Sequence, residues 1–315
     1  GDRRLIETNT THMLEGMLAH IVRQEIRAVQ SVPDLFKAWT QLVLPNPDTL
    51  HYEQLSLPPA TPRTLFNVGI TNQRTYAART LPLPALKQLA KRAETTLNDV
   101  ILALCSGALR RYLLEKNALP AQSLTASVPI AVRTTADENT PNQNGMFLCS
   151  LATNLAEPLQ RLAAIHRSAV EQKQRFHQLR SLPLPELPTL GAGHIMRRLV
   201  ELYGHTKASE IPLFGNLAIS NVPGPTQPLY IAGAKVVSLY PCSIAFHGAA
   251  LNITAQSYDQ RLDFGLIACR RAVPDLGYLA DLLLASFQEL HDALLGPGPA
   301  LSAEASSLGH LPTSL

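Results

Sequence analysis

Cysteine, tryptophan, charge and long apolar runs are all scarce in this chain of 315 residues. Its four cysteines are Cys105, Cys149, Cys242 and Cys269, and the nearest two lie 27 positions apart. That spacing excludes a C-x-x-C zinc ribbon and is too sparse for a secreted disulfide scaffold, so reduced thiols in a cytosolic protein are expected. Trp39 is the only Trp and aromatics make up 5% of the chain, which disfavours base-stacking platforms and Trp-lined sugar sites. Charged residues are 16%, and their net excess is +3. So weak a basic balance does not argue for nucleic acid, and none is expected as a partner. No apolar run reaches the roughly 18 residues that a membrane-spanning helix needs. The opening GDRRLIETNT carries charges with no apolar core behind them, so it is not expected to be a signal peptide. It also lacks an initiator Met, so an origin inside a longer protein is expected.

What is present is apolar material, 46% of the residues, enough for a sizeable core. The length suits about two domains at roughly 150 residues each. Residues 14–31 carry Leu14, Met17, Leu18, Ile21 and Val22 at helical spacing, with His20, Arg23 and Arg27 as a basic complement. This segment reads either as a core-packing helix or as one lying on an anionic membrane. Pro45, Pro47, Pro58, Pro59 and Pro62 then mark a connector. From about 65 the pattern alternates. A strand is expected over 74–81, helices over 85–93 and 97–114, and a strand over 125–132. A polar loop follows at 136–145, then a strand over 147–154 and a helix over 158–177. After a second Pro-rich hinge at 181–191, strands are expected over 217–222, 235–240, 243–247, 251–258 and 262–269. A turn at 259–261 joins the last two, and a helix over 275–295 closes the domain. Strands so closely spaced imply antiparallel pairing. The Gly, Pro, Ser and Ala of 297–315 read as a disordered tail.

Generic catalytic motifs are missing. There is no G-x-G-x-x-G, Walker loop, H-E-x-x-H or G-x-S-x-G, and the ten histidines are scattered. His12 and His291 read as helix-surface residues. His247, in IAFHGAALN, ends an apolar strand beside Gly248 and is either a cleft residue or a hydrogen-bonded structural one. Two patterns stand out. Leu97-Asn98-Asp99-Val100 opens a very apolar helix, where Thr96 and Asp99 have capping-box spacing. Ile219-Ser220-Asn221-Val222 runs into Pro223-Gly224-Pro225, a rigid turn able to fix Ser220 and Asn221 in a cleft.

Taken together, LNDVILALCSGALRRYL at 97–113, SVPIAVR at 127–133, PLFGNLAISNVPGPTQPLY at 212–230 and YPCSIAFHGAALNITAQSYDQRLDFGLIACR at 240–270 resemble the bacterial wax ester synthase/diacylglycerol acyltransferase family. The resemblance runs from about residue 14 to 295. It implies an α/β fold, the chloramphenicol-acetyltransferase-like mixed-sheet sandwich, with a tunnel between two related domains. On that basis 1–64 ends the first domain and forms the connector, and 65–296 is the C-terminal acyltransferase domain. The implied reaction moves a fatty acyl group from acyl-CoA, as substrate, to a long-chain alcohol or diacylglycerol, with no cofactor and no metal.

The family places its base on a His-His-x-x-x-Asp-Gly motif, which is absent from 1–315. DRRLIE at 2–7 is similar to the segment that follows that motif, so the catalytic His is expected upstream of Gly1, on an N-terminal domain. Neither His12 nor His247 matches the motif. The resemblance implies that Asn98 and Asp99 lie near the catalytic His, Asn98 as a site residue and Asp99 as a brace. It makes Ser220, Asn221 and His247 candidates for the tunnel wall. By itself the chain is expected to be inactive. The alternative is a noncatalytic domain that binds a lipid surface or a partner domain. A cytoplasmic location is expected, peripheral to the inner membrane or to lipid inclusions.

Overall fold

The computed structural model of the chain describes residues 61–131, 144–180, 212 and 215–297. The expected helix at 14–31, the connector up to Pro59, the loop at 136–143, the hinge at 181–191 and the tail beyond Pro297 lie outside the described residues.

The elements are β1 (Arg74–Pro82), α1 (Leu83–Arg92), α2 (Leu97–Glu115), β2 (Thr125–Ala131), β3 (Asn144–Ser150), α3 (Pro158–Arg180), β4 (Leu217–Val222), β5 (Tyr230–Ile231), β6 (Ala234–Lys235), β7 (Leu251–Tyr258), β8 (Arg261–Cys269) and α4 (Leu276–Leu295). Six strands form one sheet in the order β1-β8-β7-β4-β2-β3, and β5 and β6 form a separate ribbon. Strands β2, β4 and β7 are parallel to one another, while β3, β8 and β1 join by antiparallel ladders. This mixed α/β sheet is the fold class that the sequence implies. Among the described residues no helix is long and apolar enough to cross a membrane.

Alternation sorts the two faces of the sheet. Leu217, Ile219, Leu251, Ile253, Phe264 and Leu266 share one face and pack into a core with α2 and α4. Arg79 extends from the same face of β1 to Asp281 of α4 at 2.6 Å. The buried Arg161 of α3 donates to the carbonyls of Leu155 and Ala156 and reaches Glu289 of α4 at 3.3 Å. The opposite face carries small and polar side chains, with Ala218 beside Asn252 and Ser220 beside Thr254.

Four expectations need correction. The strand expected at 147–154 is Asn144–Ser150. It stops where Leu151 N–H bonds to Leu124 O and Ala152 turns left-handed at φ 50°. The strand expected over 235–240 is reduced to Ala234–Lys235, paired with Tyr230–Ile231. Beyond it the chain lies across the polar face as a strap. Leu239 N–H donates to Asp263 Oδ2 at 2.8 Å, the Tyr240 hydroxyl meets that of Thr80 at 3.1 Å, and Tyr76 Oη donates to Pro241 O at 3.2 Å. With its polar groups engaged by side chains, the strap joins no ladder of the sheet. The segment expected as a strand at 243–247 forms none and ends in a tight turn bridged between Phe246 and Ala249, with Gly248 at φ 83°. Because neither segment enters the sheet, the link from β4 to β7 is long enough for a parallel crossover, and the antiparallel expectation fails there.

The strap passes close over Gly265. A Cβ there would sit 1.7 Å from Pro241 O, a backbone atom that cannot rotate away. Gly277, in the first turn of α4, faces open space. Gly265→Ala is expected to lose about 3 kcal/mol, the upper range for overpacking. Gly277→Ala should gain roughly 0.5–1 kcal/mol from helix propensity. Urea unfolding of the two variants checks both signs.

Candidate active site

The site is built from the start of α2. Thr96 is extended at φ −90° and ψ 158°, and its hydroxyl accepts Asp99 N–H at 3.2 Å. Asp99 Oδ2 accepts the backbone N–H of Thr96 at 3.0 Å and its hydroxyl at 2.8 Å, completing a capping box. A third donor comes from a different helix. His166 of α3 places Nδ1 2.8 Å from the same oxygen, which puts the imidazole proton on Nδ1. Asp99 is 1% exposed, and its Oδ1 is buried without a hydrogen-bond partner among the described residues.

Asn98 is the next residue toward the N-terminus and meets a different environment. It is half-buried, and its amide makes no hydrogen bond among the described residues. The unpaired N–H groups of the first helical turn lie beside it and contribute partial positive charge.

The direction of α2 follows from its contacts. Arg110, in its C-terminal half, donates to Thr153 O, and the Thr153 hydroxyl accepts Leu124 N–H just ahead of β2. The helix therefore runs back along β2, with its N-terminus toward the end where the parallel strands β2, β4 and β7 finish. Ser220 and Asn221 sit at that same end of β4, half-buried, with no side-chain hydrogen bond among the described residues. Asn221 shares the helix-covered face with Leu217 and Ile219, and Ser220 lies on the polar face beside Thr254. The Pro223-Gly224-Pro225 turn is docked rather than free. Gly224 N–H donates to Ser257 Oγ at 3.0 Å, and Asp259 N–H donates to Pro225 O at 2.9 Å.

His247 is not brought to this end. Asn221 pairs with Ala255, four residues into β7 and so roughly 13 Å from its start. His247 precedes that start. Its Nδ1 accepts Ile70 N–H at 3.2 Å, and the adjacent Gly248 is tied to Val68 and Asn67.

His166 is the residue that sequence reasoning missed. It lies 67 positions from Asp99, and nothing local in α3 marks it. Its other side borders a cleft of about 420 Å³ between Ala93, Thr95, Leu159, Leu162 and Leu294. The thiols offer no nucleophile at this end. Burial pushes Cys105 up to about 12 and Cys149 up to about 11, so both are protonated at neutral pH. Among the described residues no cluster of His, Cys, Asp or Glu has the geometry of a metal site.

This arrangement can be set beside known proteins. Residues 3–101 match the wax ester synthase/diacylglycerol acyltransferase catalytic domain, and residues 140–291 match the WS/DGAT C-terminal domain. The chain belongs to the wax ester synthase/diacylglycerol acyltransferase family. It is 38% identical over 276 residues to the O-acyltransferase WSD of Acinetobacter baylyi, covering 86% of this chain and 57% of that protein. The solved wax ester synthase/diacylglycerol acyltransferase from Marinobacter aquaeolei superposes with a TM-score of 0.61 at 31% identity, covering 85% of this chain and 57% of that one. The chain thus spans little more than half the length of these relatives.

The capping box makes a separable contribution to stability. Thr96→Val removes the hydroxyl that accepts Asp99 N–H and donates to Oδ2, and should cost about 1–2 kcal/mol. Thr96→Ser keeps both bonds and should stay within about 0.5 kcal/mol, since Ser is at least as good an N-cap. Chemical denaturation of the two variants measures the difference.

Proposed function

We propose that this chain serves an O-acyltransferase that moves a fatty acyl group from acyl-CoA to a long-chain alcohol or diacylglycerol. The alcohol oxygen attacks the thioester carbonyl, the carbon–sulfur bond breaks, and an oxygen ester and CoA thiol result. A base takes the hydroxyl proton as the carbon–oxygen bond forms and returns it to the departing thiolate. The tetrahedral oxyanion needs fixed donors. The observation that carries this reading is the half-buried Asn98 amide, which has no hydrogen bond among the described residues and sits at the N-terminus of a long buried helix. The names of the two relatives support the reaction class.

In this reading Asn98 donates to the reacting oxygen or orients the base, and Asp99 holds the turn that presents it. Ser220 and Asn221, at the same end of the sheet, form part of the acyl-chain wall. In open α/β sheets ligands commonly sit beyond the carboxyl ends of parallel strands, which by analogy favours this end over that of His247. No His of 1–315 stands in a His-His-x-x-x-Asp-Gly motif, so the base is proposed to come from a segment that bears it.

Two measurements test this. In a complete enzyme containing these residues, Asn98→Asp should fold with little change in Tm. It loses the donor and adds a repelling charge, and kcat should fall at least about tenfold, a bound set below the usual cost of a lost oxyanion donor. Full activity in a folded Asn98→Asp enzyme would return Asn98 to a purely local role. Purified 1–315 should show no transfer from palmitoyl-CoA to hexadecanol above background, because the base alone is worth roughly 10²–10⁴-fold. Robust ester formation by 1–315 would place the base within it.

A further inference from the structure

The capping box and the His166 contact differ in what they fix. Every partner of the box lies within Thr96–Asp99, so those bonds move with the helix end as one body. They set the shape of the turn but not its position relative to other elements. Among the described residues only the bond from His166 Nδ1 at 2.8 Å ties the Asp99 carboxylate to another helix. The Asn98 side chain makes no hydrogen bond among the described residues, so the aim of its amide follows wherever the backbone of this turn is held.

We propose that His166 is a positioning residue for acyl transfer: by donating Nδ1–H to buried Asp99 it anchors the first turn of α2 and thereby aims the Asn98 amide. The inference rests on the reading of Asn98 given under Proposed function. His166 itself touches neither substrate nor reacting atoms in this role. It acts through Asp99 on the backbone, and then through the backbone on Asn98. Its side chain is 35% exposed and borders an open cleft, so substitution leaves no enclosed void.

The test is a double-mutant cycle on turnover in a complete enzyme carrying these residues. His166→Leu removes the donor at similar bulk. His166→Asn keeps one, since its side-chain nitrogen is attached to Cγ as Nδ1 is. A small misplacement of a reacting group costs up to about 10²-fold in rate, so His166→Leu should lower kcat about tenfold or more. KM for acyl-CoA should stay within about twofold, as expected when only an interaction made in the transition state is lost. His166→Asn should retain kcat to within roughly threefold of the parent, because the anchoring bond survives. In an Asn98→Ala background His166→Leu should cost nothing further in kcat, the non-additivity of two residues acting through one contact.

Unchanged kcat in folded His166→Leu would overturn the proposal, as would a loss that simply multiplies with that of Asn98→Ala. Equal losses in the Leu and Asn variants would also overturn it. Should His166→Leu fail to fold, His166→Phe, which keeps a ring without a donor, is read in the same way. A failure of the underlying reading is distinguishable, because Asn98→Ala alone would then keep full kcat whatever His166 does.

Discussion

One carboxylate oxygen, Asp99 Oδ2, gathers three donors from two helices, and the geometry at this end of the sheet depends on it. From Asp99 to Leu109 α2 is buried without interruption, so it cannot slide along its axis without repacking a dense core. At the helix end half-buried Leu97 still packs against that core, and the polar contacts of Asp99 add to this hold. A carboxylate out of water is costly unless it is hydrogen-bonded. Three donors on Oδ2 meet that cost for one oxygen, and the local negative charge also complements the positive end of the helix. Oδ1 remains without a partner among the described residues.

The sheet supplies the second constraint. Its three parallel strands finish at one end, and the α2 N-terminus runs to that end. The helix-covered face is filled by Leu, Ile and Phe, which fixes the register of the ladders, because a slip of one residue would exchange the faces. The other face is lined by Ser220, Thr254, Asn252 and the backbone of Gly265. Such small side chains cannot fill space against a second apolar layer. They do allow another backbone to approach closely, as the strap at Leu239–Pro241 does over Gly265.

Most of the fold was legible in the sequence, for reasons that differ by element. The ends of α2 and α4 follow from helical periodicity bounded by Thr96 and Gly296, and β4, β7 and β8 follow from apolar runs bounded by turn residues. Val236, Val237 and Leu239 have the composition of a strand, yet their segment forms a strap. Its partners are the Asp263 carboxylate and the Thr80 and Tyr76 hydroxyls, residues remote in sequence and invisible to a local pattern. The parallel pairing of β4 with β7 was hidden by the same error, since two spurious strands made the connection look too short. At the site, the pairing of Thr96 with Asp99 was readable from spacing alone. His166 was not, because a lone His inside an amphipathic helix carries no sign of what it faces.

Asn98 and Asp99 show why neighbouring polar residues need not share a role. A helix N-terminus in this geometry needs acceptors for the N–H groups at the cap and at the third position. Thr96 and Asp99 satisfy both reciprocally. Nothing in that exchange uses residue 98. The following turn is buried and apolar, so the position gains little from an amide through packing. Asp99 is therefore explained by the fold, down to the donor that each contact supplies to Oδ2. Asn98 is not: its side chain completes no cap, joins no ion pair and enters no hydrogen bond among the described residues. A half-buried amide that the fold does not use stands beside a carboxylate that the fold uses heavily. That combination leaves a hydrogen-bond donor at the helix N-terminus with no partner among the described residues, the kind of group that the proposed oxyanion role would draw on.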